Sequence, residues 1–281
     1  MATISSTQLS DMELNSLTQI ANKAADAAGE VVRKYYSNAA RFQFREKDGD
    51  GPVTCADVEA EQAISSVILE AFPSHSIYGE ETGWHNRENA IMPNQFVWVL
   101  DPIDGTSSFV GKDNCAFGIL IGLVYNGKPI LGCIDQPILK LRWVGVKGKG
   151  TTINGERVST LDCCDLGKAR VHLKVPNYND DAKKAYDCLS KKVGKKLFNG
   201  NCVVFGELAS GFVDVVVDCA LDPYDFLALV PVVEGAGGVV TDWEGRELEW
   251  NAETPVPEGG FKIVATAGKT IHQHVINALS Q

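Results

Sequence analysis

The stretch that most constrains this chain is Val97 to Phe109, VWVLDPIDGTSSF. An apolar run closes at Leu100, and two aspartates, Asp101 and Asp104, follow around Pro102, with Gly105-Thr106 next. Like charges that close repel, and taking either out of water costs several kcal/mol. Either a cation lies between them or they point apart into solvent. Pro102 holds Asp101 extended, and an aspartate closing VWVL has little reason to exist as packing. The pattern predicts a strand ending in a tight turn that carries both carboxylates. A helix then opens at Gly105 and Thr106, and its free N–H groups suit a phosphate.

Three further acidic positions fall at the ends of predicted elements: Asp57, Glu80-Glu81 and Asp225. Hard divalent ions such as magnesium take oxygen ligands and keep several waters. Two of them roughly 3.5–4 Å apart can hold the attacking and leaving oxygens of an in-line displacement at phosphorus. Ile103, between the paired aspartates, offers its backbone carbonyl. Each acid outside DPIDGT also has an ordinary role open to it. Asp57 can be the N3 member of a capping box with Thr54, Glu80-Glu81 a solvated turn, and Asp225 a first-turn helix acid favoured by the dipole. Taken together, the residues lead as far as a two-metal hydrolase.

The bulk properties narrow the partners. The chain has 281 residues, 44% apolar and 22% charged, enough for one large domain or two sublobes. A net charge of -10 argues against a nucleic-acid or acidic-membrane partner, which needs a basic footprint. An anionic substrate remains open if cations mediate the contact. The 8 cysteines form no C-x-x-C pair and no zinc-finger spacing, and read as free thiols of a reducing compartment. The start, MATISSTQLSDMELN, shows no apolar leader core, so the expected location is cytoplasmic, with a trimmed plastid form as the alternative. No run of 18 apolar residues marks a membrane span.

Periodicity sets the elements. Leu14, Leu17, Ile20, Ala21, Ala24, Ala28, Val31, Val32 and Tyr35 keep helical spacing over residues 11 to 36, and Ala63, Ile64, Val67 and Ile68 do so from about 55 to 71. KDGDGP, 47 to 52, is a turn-rich loop. IYGEE and FVWVLD read as strands ending in carboxylates. Hairpins turn at Asn126-Gly127 and Asn154-Gly155. After about residue 160, DDAKKAYDCLSKKV and GELASG are helical, FVDVVVD is a strand, and PYDFLALVPVVEGAG is one helix closed by Gly237-Gly238. VVTDW, FKIVATA and TIHQHVINAL give strand, strand, helix. The reading is alternating layers of helices and mixed sheets, in two sublobes meeting near residues 145 to 165.

GEE, WVLDPIDGTSSF and PYDFLALVPVVEGAGG resemble the signatures of the inositol monophosphatase family of magnesium-dependent, lithium-sensitive phosphatases, over roughly residues 14 to 280. PSHSIYGEETGW, GKPILGCIDQP and SGFVDVVVDCALDPYDFLALVPVVEGAGGVVTDW look most like its plant-type histidinol-phosphate phosphatase branch, which acts in histidine synthesis. The resemblance implies an α/β (α+β) fold, the layered α-β-α-β-α sandwich of the inositol monophosphatase and fructose-bisphosphatase type. It implies a single catalytic domain over 1–281, with sublobes of about 1–155 and 156–281, and a homodimer. It further implies two to three Mg²⁺ ions: one held by Glu80, Asp101 and the Ile103 carbonyl, a second by Asp101, Asp104 and Asp225, and a third, weaker one helped by Glu80. Asp57 with Thr106 would activate the attacking water, the Gly105 and Thr106 amides would take phosphate oxygens, and Asp218 would contact a substrate hydroxyl or amine.

The substrate side departs from that branch. Ser107 follows DGT where Lys or Thr is usual. GNCVVFGELASG stands where CDCYAYALLASG is expected, so Asn201 replaces an aspartate that pairs with a cationic amine, and Glu207 replaces Leu. KVPNYND, 174 to 180, replaces an SPH segment. Asn201 and Glu207 are expected to line the substrate wall; their ordinary readings are a turn cap and a solvent-facing helix residue. The expected activity is hydrolysis of a small phosphate ester, histidinol phosphate first. Inositol or sugar phosphates are the alternatives, or a new reaction or binding role on an amine- or alkaloid-like molecule.

Overall fold

The computed structural model describes residues 9–37, 44–47, 51–113, 115–174, 180–197 and 200–280, without the side chains of 44–47, 51–54, 180 and 181. The chain opens with helix α1, Asp11–Tyr36. The Ser10 hydroxyl caps it by accepting the Glu13 N–H at 3.2 Å, and the Glu13 carboxylate accepts the Ser10 N–H at 2.8 Å. A two-stranded ribbon, β1 (Phe44–Lys47) and β2 (Gly51–Thr54), leads into α2, Cys55–Ala71. Both long helices keep the expected bounds. The expected 47–52 loop is shorter: Lys47, Gly51 and Pro52 are strand residues, Lys47 opposite Gly51 and Glu46 opposite Pro52, and residues 48–50 lie outside the described residues.

A first sheet follows: β3 (Ser76–Gly79), β4 (Gly83–His85), helix α3 (Arg87–Ala90), β5 (Phe96–Asp104), helix α4 (Thr106–Val110), β6 (Gly118–Tyr125), β7 (Lys128–Gln136), β8 (Leu141–Val146), β9 (Gly150–Ile153) and β10 (Glu156–Val158). The eight strands run in the order β10-β9-β8-β7-β6-β5-β3-β4. Only β3 and β5 pair in parallel among them; the Asn126-Gly127 and Asn154-Gly155 hairpins form as expected. The second half gives β11 (Arg170–Leu173), α5 (Asp180–Ser190), β12 (Lys195–Leu197), α6 (Val203–Ala209), β13 (Val215–Leu221), α7 (Pro223–Phe226), α8 (Leu229–Gly235), β14 (Val239–Asp242), β15 (Phe261–Thr266) and α9 (Lys269–Leu279). Its five strands run β12-β11-β13-β15-β14.

Strand alternation turns these elements into five layers. Trp98 and Leu100 of β5 pack with Ala21, Ala28, Ile64 and Ile68 of α1 and α2. Val97 and Val99, on the opposite face, pack with Phe205, Leu208, Val232 and Val233 of α6 and α8, and with Val216 and Ile263 of the second sheet. Val215, Val217 and Val264 face the other way, onto Ala182 and Leu189 of α5 and Ile271 and Val275 of α9. The order is helices, sheet, helices, sheet, helices. The middle helix α8 lies directly on the first sheet where that sheet has no side chain: a Cβ on Gly132 would sit 1.8 Å from the Ala228 carbonyl oxygen.

Further elements differ from expectation: the FVDVVVD strand starts later, at Val215, and runs to Leu221, and β5 and the 223–237 segment depart more. β5 does not stop at Asp101 in a turn. It keeps pairing with β6 to Asp104, and the register slips between Asp101, opposite Leu120, and Asp104, opposite Gly118. Three steps on β5 match two on β6, which is a bulge. The single helix expected over 223–237 is two short ones, α7 and α8, because Pro231 has no N–H to offer the preceding turn. No helix among the described residues is long and apolar enough to cross a membrane.

Candidate metal and phosphate site

The bulge in β5 turns Asp101 and Asp104 toward one point, and the first turn of α7 brings Asp225 to it. Each of the three offers a carboxylate oxygen, and these oxygens lie within 4.8 Å of one another. In each carboxylate, one oxygen is held by a backbone donor. Asp101 Oδ1 accepts the Ile103 N–H at 3.0 Å, Asp104 Oδ2 the Cys202 N–H at 2.5 Å, and Asp225 Oδ2 the Asp222 N–H at 2.7 Å. The helix-start role foreseen for Asp225 is therefore real and coexists with the cluster.

Glu80 joins from the end of β3. Its N–H donates to the Leu100 carbonyl at 3.1 Å, which ties it to β5, and its charge raises the Asp101 carboxyl. The turn after it is fixed by Glu61 of α2, a wholly buried acid. Glu61 accepts the Glu81 and Thr82 N–H groups, both at 2.8 Å, and the Thr82 hydroxyl at 2.5 Å. This explains the glycine of GEE: a Cβ on Gly79 would lie 2.3 Å from Glu61 Oε1.

Asp57, in the first turn of α2, is wholly buried. The Thr106 hydroxyl sits 3.3 Å from Asp57 Oδ1 and 3.1 Å from the Ile103 carbonyl oxygen, so its one proton serves either acceptor. The side chain of Thr54, proposed as a capping partner of Asp57, lies outside the described side chains. Gly105 begins α4 at φ 87°, a left-handed conformation that suits glycine. A Cβ there would also meet Asn201 Nδ2 at 2.2 Å and the Ala116 carbonyl oxygen at 2.6 Å.

The electrostatics have one sign. Burial, then Glu80, Asp104 and Asp225, hold the Asp101 carboxyl well above its ordinary value. Burial, then Asp104, does the same to Asp225, against the Asp222 amide. Burial also raises Asp104, offset in part by Cys202 and Lys174. These groups cannot all ionise at low cost without added positive charge. An all-oxygen set with a shared excess of negative charge fits a hard divalent cation.

On the substrate side a cleft of about 50 Å³ is lined by Asp104, Lys174, Asn201, Asp218 and Asp225, with Cys202 and Phe205. Asn201 is already engaged: its Nδ2 donates to the Ala116 carbonyl at 2.7 Å, which buttresses Gly105. Burial raises Asp218 to about 6, against the pull of Lys174. Glu207 is not part of this lining; it follows Phe205 by two residues, about 200° round α6. It is half-buried, and burial raises its carboxyl.

Glu61 belongs to the site without belonging to any motif, and Lys174 opens the KVPNYND stretch, of which residues 175–179 lie outside the described residues. Lys174 Nζ lies 3.3 Å from Asp218 Oδ1. Burial works against its charge, but Asp218, Asp104 and Asp225 outweigh that and raise it. Alternation along β11 was the available signal, since it continues the strand beside β13, whose Val217 carbonyl accepts the Lys174 N–H at 3.1 Å.

Comparison with known proteins points one way. The sequence profile described as the inositol monophosphatase family matches residues 13–281. The chain is 48% identical over 277 residues, 98% of its own length and 78% of the other's, to the bifunctional phosphatase IMPL2, chloroplastic, of Arabidopsis thaliana. It is 31% identical to a histidinol-phosphatase of Chlorobaculum parvum, over 89% of this chain and 96% of that one. Its fold superposes on an inositol monophosphatase from Zymomonas mobilis with a TM-score of 0.80 and 34% identity, over 97% of this chain and all (100%) of that one.

Proposed function

The chain belongs to the inositol monophosphatase family and is thus a phosphatase, a phosphoric monoester hydrolase, and we propose that it cleaves a small phosphorylated metabolite with the help of Mg²⁺. The observation that carries the cation is the convergence of Asp101, Asp104 and Asp225 on one point with carboxyls held above their ordinary range. Asp101, Asp104 and Asp225 would hold one ion; Glu80, Asp101 and the Ile103 carbonyl a second; Glu80 would help a third. Ions bound there supply positive charge for the phosphate oxygens and make an adjacent water more acidic. The chain's own residues do the rest. Asp57 accepts a proton from the attacking water while Thr106 orients it, their oxygens being 3.3 Å apart. The amides at Gly105 and Thr106, at the start of α4, receive phosphate oxygens.

Two substrate classes follow from the relatives. Similarity to a protein named histidinol-phosphatase in Chlorobaculum parvum supports histidinol phosphate as the substrate, and similarity to an inositol monophosphatase from Zymomonas mobilis supports an inositol phosphate. We further propose one catalytic domain with sublobes of about 1–155 and 156–281, a homodimer, and a cytoplasmic or plastid location, the plastid supported by the name of the Arabidopsis relative. A phosphate-release screen over histidinol phosphate, inositol phosphates and sugar phosphates, with Mg²⁺ and with EDTA, tests the reading. Release that needs Mg²⁺ is expected. No release from any of them with Mg²⁺ present would refute it.

A further inference from the structure

We infer that Lys174 sets substrate class, making the wall beyond the phosphate suited to the hydroxyls of a neutral polyol or sugar phosphate and hostile to a cationic amine. The inference rests on the phosphatase reading and deepens it. Lys174 Nζ and Asp218 Oδ1 lie 3.3 Å apart in the cleft that also holds Asp104, Asn201 and Asp225. Asp218 is buried, and its Oδ1 also accepts the Cys219 N–H at 2.7 Å. With Asp104 and Asp225 given over to cations, Asp218 is the lysine's partner.

The pair presents a donor-only cation beside an acceptor-only anion. A hydroxyl satisfies both, accepting from the Lys174 ammonium and donating to the Asp218 carboxylate. A substrate ammonium has no lone pair for Lys174 and must share a carboxylate that already carries a positive partner. A substrate carboxylate has no proton for Asp218. Asn201 does not restore a site for an amine: its Oδ1 can accept from an ammonium, but the side chain is neutral and brings no charge to offset Lys174. The remaining class is the neutral, hydroxylated one.

The test compares the wild type with Lys174→Met, which keeps length and loses charge, and Lys174→Arg, which keeps charge. Inositol 1-phosphate and histidinol phosphate are the probes. Each is measured by kcat/KM for phosphate release in Mg²⁺, and by calorimetric Kd with Ca²⁺ in place of Mg²⁺, so that binding is read without turnover. The wild type should favour inositol 1-phosphate. Lys174→Met should shift the ratio toward histidinol phosphate by about tenfold or more, and Lys174→Arg should keep the wild-type ratio. A ratio unchanged by Lys174→Met in both assays, or a wild type that favours histidinol phosphate, overturns the inference and leaves the phosphatase reading standing. A shifted binding ratio without phosphate release from either probe supports it and counts against hydrolysis.

Discussion

Replacing Gly79 by Ala should disable the site without touching a single carboxylate that faces it. The new Cβ would lie 2.3 Å from Glu61 Oε1, 2.4 Å from Cδ and 2.6 Å from Oε2. Ordinary contact begins near about 3.5 Å, so the carboxylate or the strand must move by roughly 1 Å. Glu61 is no loose surface end. It is wholly buried and accepts three hydrogen bonds from Glu81 and Thr82. Overpacking of this kind costs about 1–3 kcal/mol, and each bond lost to a charged acceptor about 1.5–3 kcal/mol. The expected cost is about 3–5 kcal/mol, a large part of the ~5–15 kcal/mol by which a typical domain is stable. Glu80 immediately precedes the pinned turn, and a misplacement near 1 Å can lower kcat/KM by about 10²-fold.

The assay is a double-mutant cycle in urea with Gly79→Ala, Glu61→Ala and the pair. In the Glu61→Ala background the added methyl meets no carboxylate, so Gly79→Ala should there cost less than about 1 kcal/mol. The coupling energy should be about 2–4 kcal/mol, well beyond the ~0.3–0.5 kcal/mol scatter of independent sites. Additive costs would refute the reasoning, because they would mean that Glu61 does not fill the space that Gly79 leaves.

Asp225→Asn should cut phosphate release by more than about 10²-fold while leaving the protein in EDTA as stable as the wild type or more so, since it removes one anion from a cluster whose carboxyls are raised by burial and mutual repulsion; near-full activity in saturating Mg²⁺ would sink the ligand assignment. His75, buried and accepting the Trp98 indole N–H at 3.1 Å, is pulled down to about 4 by burial. The unfolded chain therefore takes the proton first: stability is full above about pH 6.5 and falls by about 3 kcal/mol toward pH 4. The His75→Gln variant should lack that loss, and parallel pH–stability curves would contradict it. Asn201→Asp puts an acceptor where Nδ2 now donates to Ala116, so it should cost about 1–3 kcal/mol and lower turnover of histidinol phosphate and inositol phosphate alike; a gain on histidinol phosphate alone would show that position 201 acts in substrate recognition and not only as a buttress.

What the sequence revealed and what it withheld divide along the range of the interactions. The spans of α1 and α2 follow from apolar spacing within the helix itself, and the two Asn-Gly hairpins from torsions local to four residues. Asp101 and Asp104 stood out because a buried strand has no packing use for them. The bulge did not, because it is fixed by where β6 lies against β5 and not by β5 alone. Glu61 reads as one more acid on an amphipathic helix; its partners are the backbone N–H groups of residues 81 and 82, which only the fold brings near. Lys174 gains its meaning from Asp218 on the neighbouring strand. Glu207 stood out by type and sits off the cleft, which shows that an unusual residue in a divergent stretch carries no address.

The three clustered aspartates show how the fold prepares this site. Each has one oxygen tied to a backbone N–H, from Ile103, Cys202 or Asp222, so each carboxylate is oriented before any cation arrives. That tie lowers the cost of ionisation but does not cancel burial and mutual repulsion, which leave all three carboxyls raised. A cation must therefore compete with protons for the cluster. Mg²⁺ affinity should rise with pH until the carboxyls of the metal-free protein are ionised, and binding should release protons. Calorimetry in two buffers of different ionisation enthalpy reads that release directly. It should be measurable below the pH at which the affinity levels off, and should shrink in Asp225→Asn, which has one titratable group fewer. Heats that do not depend on the buffer would mean that the carboxylates are already ionised, and that the backbone donors outweigh the repulsion.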